Sequence, residues 1–336
     1  MALRMIAMPS DAPITPTIHS LAAALGAALV ASLDGRLQDL HWFRTDWQRG
    51  GAATGQGRWC EGGSPTGAAL APGSGGGAGR EVIVKVPVNL REYRWLERTA
   101  RQCDGPVAEL IASGLSIGPY DFAWVIIERL PHGPLGLSWH PDHLVRICDA
   151  AARFHRVASQ TPLEGGPREE EWDRLLAAAR EAVRESAFPE RNRWSSALKE
   201  FSKRADRAVD RWRNRQPLGW IHGDLHPANA MSRVASDHGP ACLIDLAEVR
   251  VGHWVEDAVY LERLHWPRPE RLAAKPVRSL ADARKREGLE TGDYAPLAAI
   301  RRVLLAATAP AFKGEHSPVF LGACLARLEE GLREVR

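Results

Sequence analysis

Between Trp220 and Val249 the chain reads WIHGDLHPANAMSRVASDHGPACLIDLAEV, and no other stretch restricts its fold as strongly. Within it, from His222 to Asn229, two histidines, an aspartate, a proline and an asparagine stand between segments with the apolar character of buried strands. Buried polar groups are costly unless bonded, so these side chains either build a turn or face a ligand. An Asx-turn accounts for His-Gly-Asp alone. It does not account for Asn229 after Asp224, nor for Asp245 closing the next apolar run.

The surroundings give that stretch a context. Alternating residues in LQDLHWFRTDWQ predict a strand, the glycines of RGGAATGQG interrupt it, and RWCEGG predicts a second strand. REVIVKVPV and DFAWVIIERL predict two more, separated by a helix with Leu90, Tyr93, Leu96 and Ala100 on one stripe. From His140 onward the periodicity turns helical, in DHLVRICDAAARFHRVA, EEEWDRLLAAAREAVRESAF and RWSSALKEFSKRADRAVDRWRNR, and again from Glu270 to the end. Thr291 and Ser317 are expected caps in that last part. The expectation is an α+β protein of two lobes: an N-terminal helical segment (1–36), a small β-rich lobe (37–131, with 62–79 a flexible loop) and a large, mainly helical lobe (132–336).

Charge and cysteine usage narrow the class. The net charge of +3 comes from 44 basic and 41 acidic residues scattered along the chain, which argues against nucleic-acid binding. Five widely spaced cysteines show no metal-type pairing and point to a reduced, cytoplasmic protein. The apolar run Leu21–Leu33 has prolines and Asp11 before it rather than a basic start, and it is too short to span a bilayer. A packed N-terminal helix, capped near Thr17 or Ser20, is expected there and no membrane partner.

Phosphoryl transfer needs a carboxylate to orient or deprotonate the attacking hydroxyl, and hard oxygen ligands for Mg²⁺. Asp224 suits the first need, Asn229 and Asp245 the second, and a hairpin over ANAMSRVASDHGPACLID would bring the last two together. Lys85, inside the valine-rich VIVKV, is costly unless its ammonium finds a partner. Twelve tryptophans are scattered through both lobes and read as core, not as an aromatic cage. Glu256, Glu262, Glu287, Glu290 and Asp293 fit either a cationic acceptor or solvated helix faces.

HGDLHPANAM with LIDLAEVRVGHWVEDAVYLE resembles the aminoglycoside phosphotransferase and choline kinase-like family, whose fold is protein-kinase-like. The resemblance runs from about Leu37 to Leu264. It implies that Asp224 is the catalytic acid–base residue, that Asn229 and Asp245 hold Mg²⁺, and that Asp257 supports the catalytic loop from a helix. VIVKV resembles the strand whose lysine holds the ATP phosphates and pairs with a helix glutamate, implying Lys85 with Glu92, or with Glu97. RGGAATGQG stands where that family's loop covers the triphosphate, implying Gly50, Gly51 and Gly55. VIIERLPHGPL resembles the hinge, where backbone groups of Glu128, Arg129 and Leu130 would meet adenine. His222 is expected to brace the loop and His226 to make a loop hydrogen bond.

The implied activity is transfer of the ATP γ-phosphate, with Mg²⁺, to a hydroxyl of a small molecule. The rival reading is a kinase-like nucleotide-binding or regulatory protein without transfer activity. A protein kinase is disfavoured, because Asp-Phe-Gly and Ala-Pro-Glu are missing and Ile-Asp-Leu stands in place of the former. The acceptor and the oligomeric state stay open.

Overall fold

The computed structural model describes residues 21–44, 52–61, 79–100, 105–185, 187–235, 239–314 and 317–334. The described residues fall into two compact units, those within Ala7–Pro131 together with Ile244–Ala247, and those within His132–Leu243 and Glu248–Arg336.

The first unit holds α1 (Leu21–Ser32), β1 (Leu37–Arg44), β2 (Ala53–Trp59), β3 (Arg80–Val86), α2 (Leu90–Thr99), β4 (Leu110–Gly114) and β5 (Trp124–Glu128). Its strands form one antiparallel sheet in the order β1-β2-β3-β5-β4. Strand alternation explains the sheet: Val82, Val84 and Val86 of β3 are fully buried, while Ile83 and Lys85 take the other face. Each such valine stabilises the unit by about 1.5–3 kcal/mol. Leu25 and Leu29 of α1, one turn apart, join this core with Trp42 and Trp59.

One local expectation changes here. Gly55 lies within β2, opposite Trp42 and Val84, and not in a loop. A Cβ there would come within 2.9 Å of the Leu40 side chain and 3.0 Å of the His41 carbonyl oxygen, so the strand pairing itself requires its small size. Gly50 and Gly51, the caps at Thr17 and Ser20, and nearly all of 62–79 lie outside the described residues. β4 is an addition; its five residues are all half-buried and show no alternation that could have marked it.

The second unit holds α3 (His143–Ala158), α4 (Trp172–Arg184), α5 (Arg191–Ser202), α6 (Ala205–Arg213), β6 (Gly219–Ile221), β7 (Ala230–Ser232), β8 (Ala241–Leu243), β9 (Arg250–Gly252), α7 (Val255–Arg263), α8 (Pro276–Arg286), α9 (Tyr294–Thr308) and α10 (Pro318–Glu334). The helix expected over 193–215 breaks at Lys203–Arg204, where Arg204 leaves helical geometry and its guanidinium donates to the Leu332 carbonyl of α10. Ser317 caps α10 by accepting from the Phe320 N–H, whereas Thr291 instead offers its carbonyl to the Trp254 indole. The stretch Tyr294–Phe312 is long and apolar enough to cross a membrane, yet it lies in this unit's core and carries Arg301 and Arg302, both ion-paired.

Tryptophans supply much of that core. Trp172, Trp194, Trp212 and Trp254 are fully buried. Arg301 lies over Trp212 and Trp172, and Arg215 over Trp212 at 4.2 Å, while Glu170 accepts from Arg301 and from the Trp212 indole. The arginines bury their charge on ring faces and carboxylates together.

Burial also keeps three histidines of this unit neutral. It pushes His253 and His265 down to about 4, and burial with the Arg284 charge lowers His155. Unfolded histidines titrate near 6.5, so below that pH the unfolded chain binds protons that the folded one refuses, and stability falls as pH falls. Melting curves at pH 7.5, 6.0 and 5.0 should show a decreasing Tm, and a constant Tm would contradict this assignment.

Candidate active site

Strand β6 delivers the polar loop. It pairs with β9, Trp220 opposite Val251, and ends at Ile221, so His222, Gly223 and Asp224 follow directly. The chain turns there because Asp257, in the first turn of α7, accepts the His222 N–H on Oδ2 and the Gly223 N–H on Oδ1, both at 2.8 Å. Burial opposes ionisation of Asp257, but the His155 hydrogen bond and these donors outweigh it and hold the carboxyl below its ordinary value. His222 is fully buried, and its Nδ1 accepts the Asp224 N–H at 3.3 Å.

Gly223 has φ +82, in the left-handed region, and Glu248 and Arg250 crowd it. A Cβ would stand 2.2 Å from the Glu248 carbonyl oxygen, so no other residue fits without moving backbone.

A short 3-10 turn, Pro227–Asn229, places the next groups. His226 caps it, its Nδ1 accepting the Ala228 N–H at 3.1 Å. With Nδ1 an acceptor, the neutral ring carries its proton on Nε2, which lies 3.4 Å from Asp224 Oδ2. Asn229 Nδ2 donates to the Asp224 carbonyl at 3.1 Å and to its Oδ2 at 3.0 Å. The Tyr260 hydroxyl also bonds to Asp224. Burial would raise the Asp224 pKa, yet the hydrogen bonds from His226 and Tyr260 outweigh it and hold the carboxyl below its ordinary value. Asp224 is therefore a carboxylate at neutral pH with its surroundings fixed.

Asn229 spends its amide hydrogens on Asp224, and its amide oxygen makes no hydrogen bond among the described residues. That oxygen is a hard donor suited to Mg²⁺. Ala230 then opens the β7–β8 hairpin, opposite Leu243, and Asp245 follows two residues later. Asp245 has φ +65, uncommon for a side chain with a Cβ, and its carboxylate is 46% exposed. Its Oδ1 stands 3.8 Å from Lys85 Nζ.

In the first unit Lys85 forms an ion pair with Glu92, the third residue of α2, whose backbone N–H is capped by Asn89 at 2.7 Å. The choice between the two glutamates is decided geometrically, since Glu97 accepts from Ser113 instead. Burial pulls Lys85 toward neutrality, and the Glu92 and Asp245 charges overcome it, so its pKa is raised and the ammonium stays charged. Farther along, the Glu128 N–H donates to the Glu109 carbonyl and the Arg129 N–H to that of Glu81. Of the three backbone donors expected to meet adenine, Leu130 N–H is the one with no bond among the described residues.

The family model of the phosphotransferase enzyme family APH matches residues 77–300, which include the Lys85 strand, the polar loop and α7. The chain belongs to this family. Its fold is similar to that of an aminoglycoside phosphotransferase from Alicyclobacillus acidocaldarius, at 16% identity and TM-score 0.55 over 97% of this chain and 95% of that one. A choline/ethanolamine kinase family protein from Mesorhizobium loti is similar at 13% identity and TM-score 0.50, over 93% and 95%. Among curated proteins no match was found. The fold is thus kinase-like, an α+β arrangement with a five-stranded sheet toward the N-terminus and a mostly helical remainder. The protein is a small-molecule phosphotransferase by family.

Two residues of this APH-family site escaped the sequence reading. Tyr260 was not singled out, although it lies three residues after Asp257, one helical turn on, and so shares its face. His226 was given only a loop bond, yet its second nitrogen faces Asp224. Gly223→Ala should cost about 2 kcal/mol or more, because both its φ and its neighbours oppose a side chain. Chemical denaturation measures this, and wild-type stability in the variant would refute the crowding.

Proposed function

We propose that this phosphotransferase uses ATP and Mg²⁺ to move the γ-phosphate to a hydroxyl of a small molecule, with Asp224 orienting the acceptor and taking its proton. The observation that carries the reading is the Asp224 carboxylate. It is ionised, held by Asn229 with His226 and Tyr260 beside it, and sits on a loop whose backbone is fixed by Asp257. A group held this way can accept a hydrogen bond from an alcohol with little reorganisation, which is the positioning that phosphoryl transfer demands.

The other roles follow from chemistry. The Lys85 ammonium, kept charged by Glu92, is suited to phosphate oxygens, and the Leu130 N–H to a ring nitrogen of adenine. The free amide oxygen of Asn229 and the exposed carboxylate of Asp245 would hold Mg²⁺, which when bound neutralises charge on the β- and γ-phosphates. The acceptor oxygen attacks phosphorus as its proton passes to an Asp224 oxygen, and ADP leaves. A polar loop deep in the chain and a paired, buried lysine also suit a protein that binds nucleotide without transferring phosphate.

The experiment is an ATP-consumption screen of the full chain against aminoglycosides, amino alcohols, sugars and homoserine-like compounds. Asp224→Asn should lower kcat by about 10²–10⁴-fold while Mg·ATP binding and Tm stay near wild type. Mg·ATP binding without ADP formation on any acceptor would favour the inactive reading. Unchanged turnover in Asp224→Asn would remove Asp224 from the chemistry.

A further inference from the structure

The end of α8 reads ARKREGLE, and Gly288 closes the helix at φ +71. Its N–H donates to the Lys285 carbonyl at 3.1 Å, and the Leu289 N–H to the Arg284 carbonyl at 2.9 Å, the Schellman pattern. The chain thereby folds back over Arg284. The Glu290 carbonyl accepts from Arg284 Nε at 3.1 Å and from Nη2 at 2.7 Å. The remaining guanidinium arm, Nη1, lies 3.0 Å from His155 Nδ1, and both side chains are buried.

A guanidinium can only donate, so Nδ1 of His155 must present its lone pair. The ring proton then resides on Nε2, which lies 3.2 Å from Asp257 Oδ2. Asp257 is the carboxylate that accepts the His222 and Gly223 backbone N–H groups. Each joint in the series permits one polarity. The other tautomer would set an N–H against the guanidinium and a lone pair against the carboxylate. An imidazolium would place N–H against guanidinium as well.

We propose that Arg284 is a positioning residue for the transfer loop, acting by holding His155 in the Nε2–H tautomer that braces Asp257. This rests on the reading that the Asp224 loop carries the transfer. Arg284 touches no reacting group; its effect passes through two side chains to the backbone beside Asp224. Without its donor, His155 is free to take a second proton next to Asp257. The hydrogen bonding of that carboxylate then shifts away from the two loop amides. Trp254, over which Arg284 lies at 5.7 Å, and the Glu290 turn keep the guanidinium in place.

Three variants of the full chain separate this role from simple anchoring of the turn. Arg284→Met keeps an unbranched apolar stem but has no donor. His155→Leu keeps the Arg284–Glu290 bonds and breaks the series. His155→Gln keeps an acceptor for Arg284 and a donor for Asp257. Long-range ¹H–¹⁵N spectra should show the neutral Nε2–H tautomer of His155 in the wild type and a ring protonated on both nitrogens in Arg284→Met. Amide exchange at Gly223 should become about tenfold faster in Arg284→Met and His155→Leu, with α9 amides unchanged. ATP turnover should fall about tenfold in both at a KM for ATP within about twofold of wild type, and His155→Gln should stay near wild type. The proposal is overturned by an unchanged His155 tautomer in Arg284→Met, by exchange that accelerates uniformly through the unit, or by wild-type turnover in His155→Leu. If the wild type transfers phosphate to no acceptor, the functional reading fails, while the tautomer and exchange measurements still decide the role of Arg284.

Discussion

A fully buried carboxylate can persist only if donors surround it, and Asp257 draws two of its three from the backbone it shapes. The dependence is mutual. The loop could not leave β6 in this conformation without an acceptor for the His222 and Gly223 N–H groups, and Asp257 could not stay ionised without them. The direction of Asp224, the tight passage at Gly223 and the cap at His226 all follow from where that carboxylate holds the chain.

The same device recurs with different partners. Glu92 lies in the first turn of α2, and Glu256 and Asp257 in the first turn of α7, where the helix dipole favours negative charge. Glu92 answers a buried lysine. Glu256 receives Arg215 on one oxygen, Arg250 on the other and the His253 N–H besides, which ties β9 to α7. A helix start thus supplies the charged anchor in both units, and each anchor fixes a strand end that carries a candidate functional residue, Lys85 in one case and the 222–224 loop in the other. The arrangement demands rigid hydrogen bonding rather than large hydrophobic area at the site.

How much of this was legible follows from the range of the interactions. β3, β5 and α3 were visible because strand content and helical stripes are properties of a few consecutive residues. The Asp224–Asn229 contact was partly legible, since both belong to one motif and the 3-10 turn between them is short. The sequence offers both Glu92 and Glu97 as the partner of Lys85, because it does not say how the chain between strand and helix brings one of them back to the lysine. The break between α5 and α6 was hidden, since the contact made there, Arg204 on the Leu332 carbonyl of α10, is remote in sequence. So was the strand position of Gly55, whose reason is the approach of β1. The link from Arg284 through His155 to Asp257 spans three helices and depends on proton positions, which composition and periodicity do not encode.

The use of charge bears on what an acceptor would meet. Glu256 is shared by two arginines, Glu262 is bound by Arg302 through both oxygens, and Glu287 receives Arg156. Of the five acids that could have faced a cationic acceptor, Glu290 and Asp293 are the exposed ones. Arginines held inside on tryptophan faces and carboxylates, such as Arg215 and Arg301, enter the net charge of +3 without projecting a field into solvent. The overall charge therefore says little about the preferred acceptor.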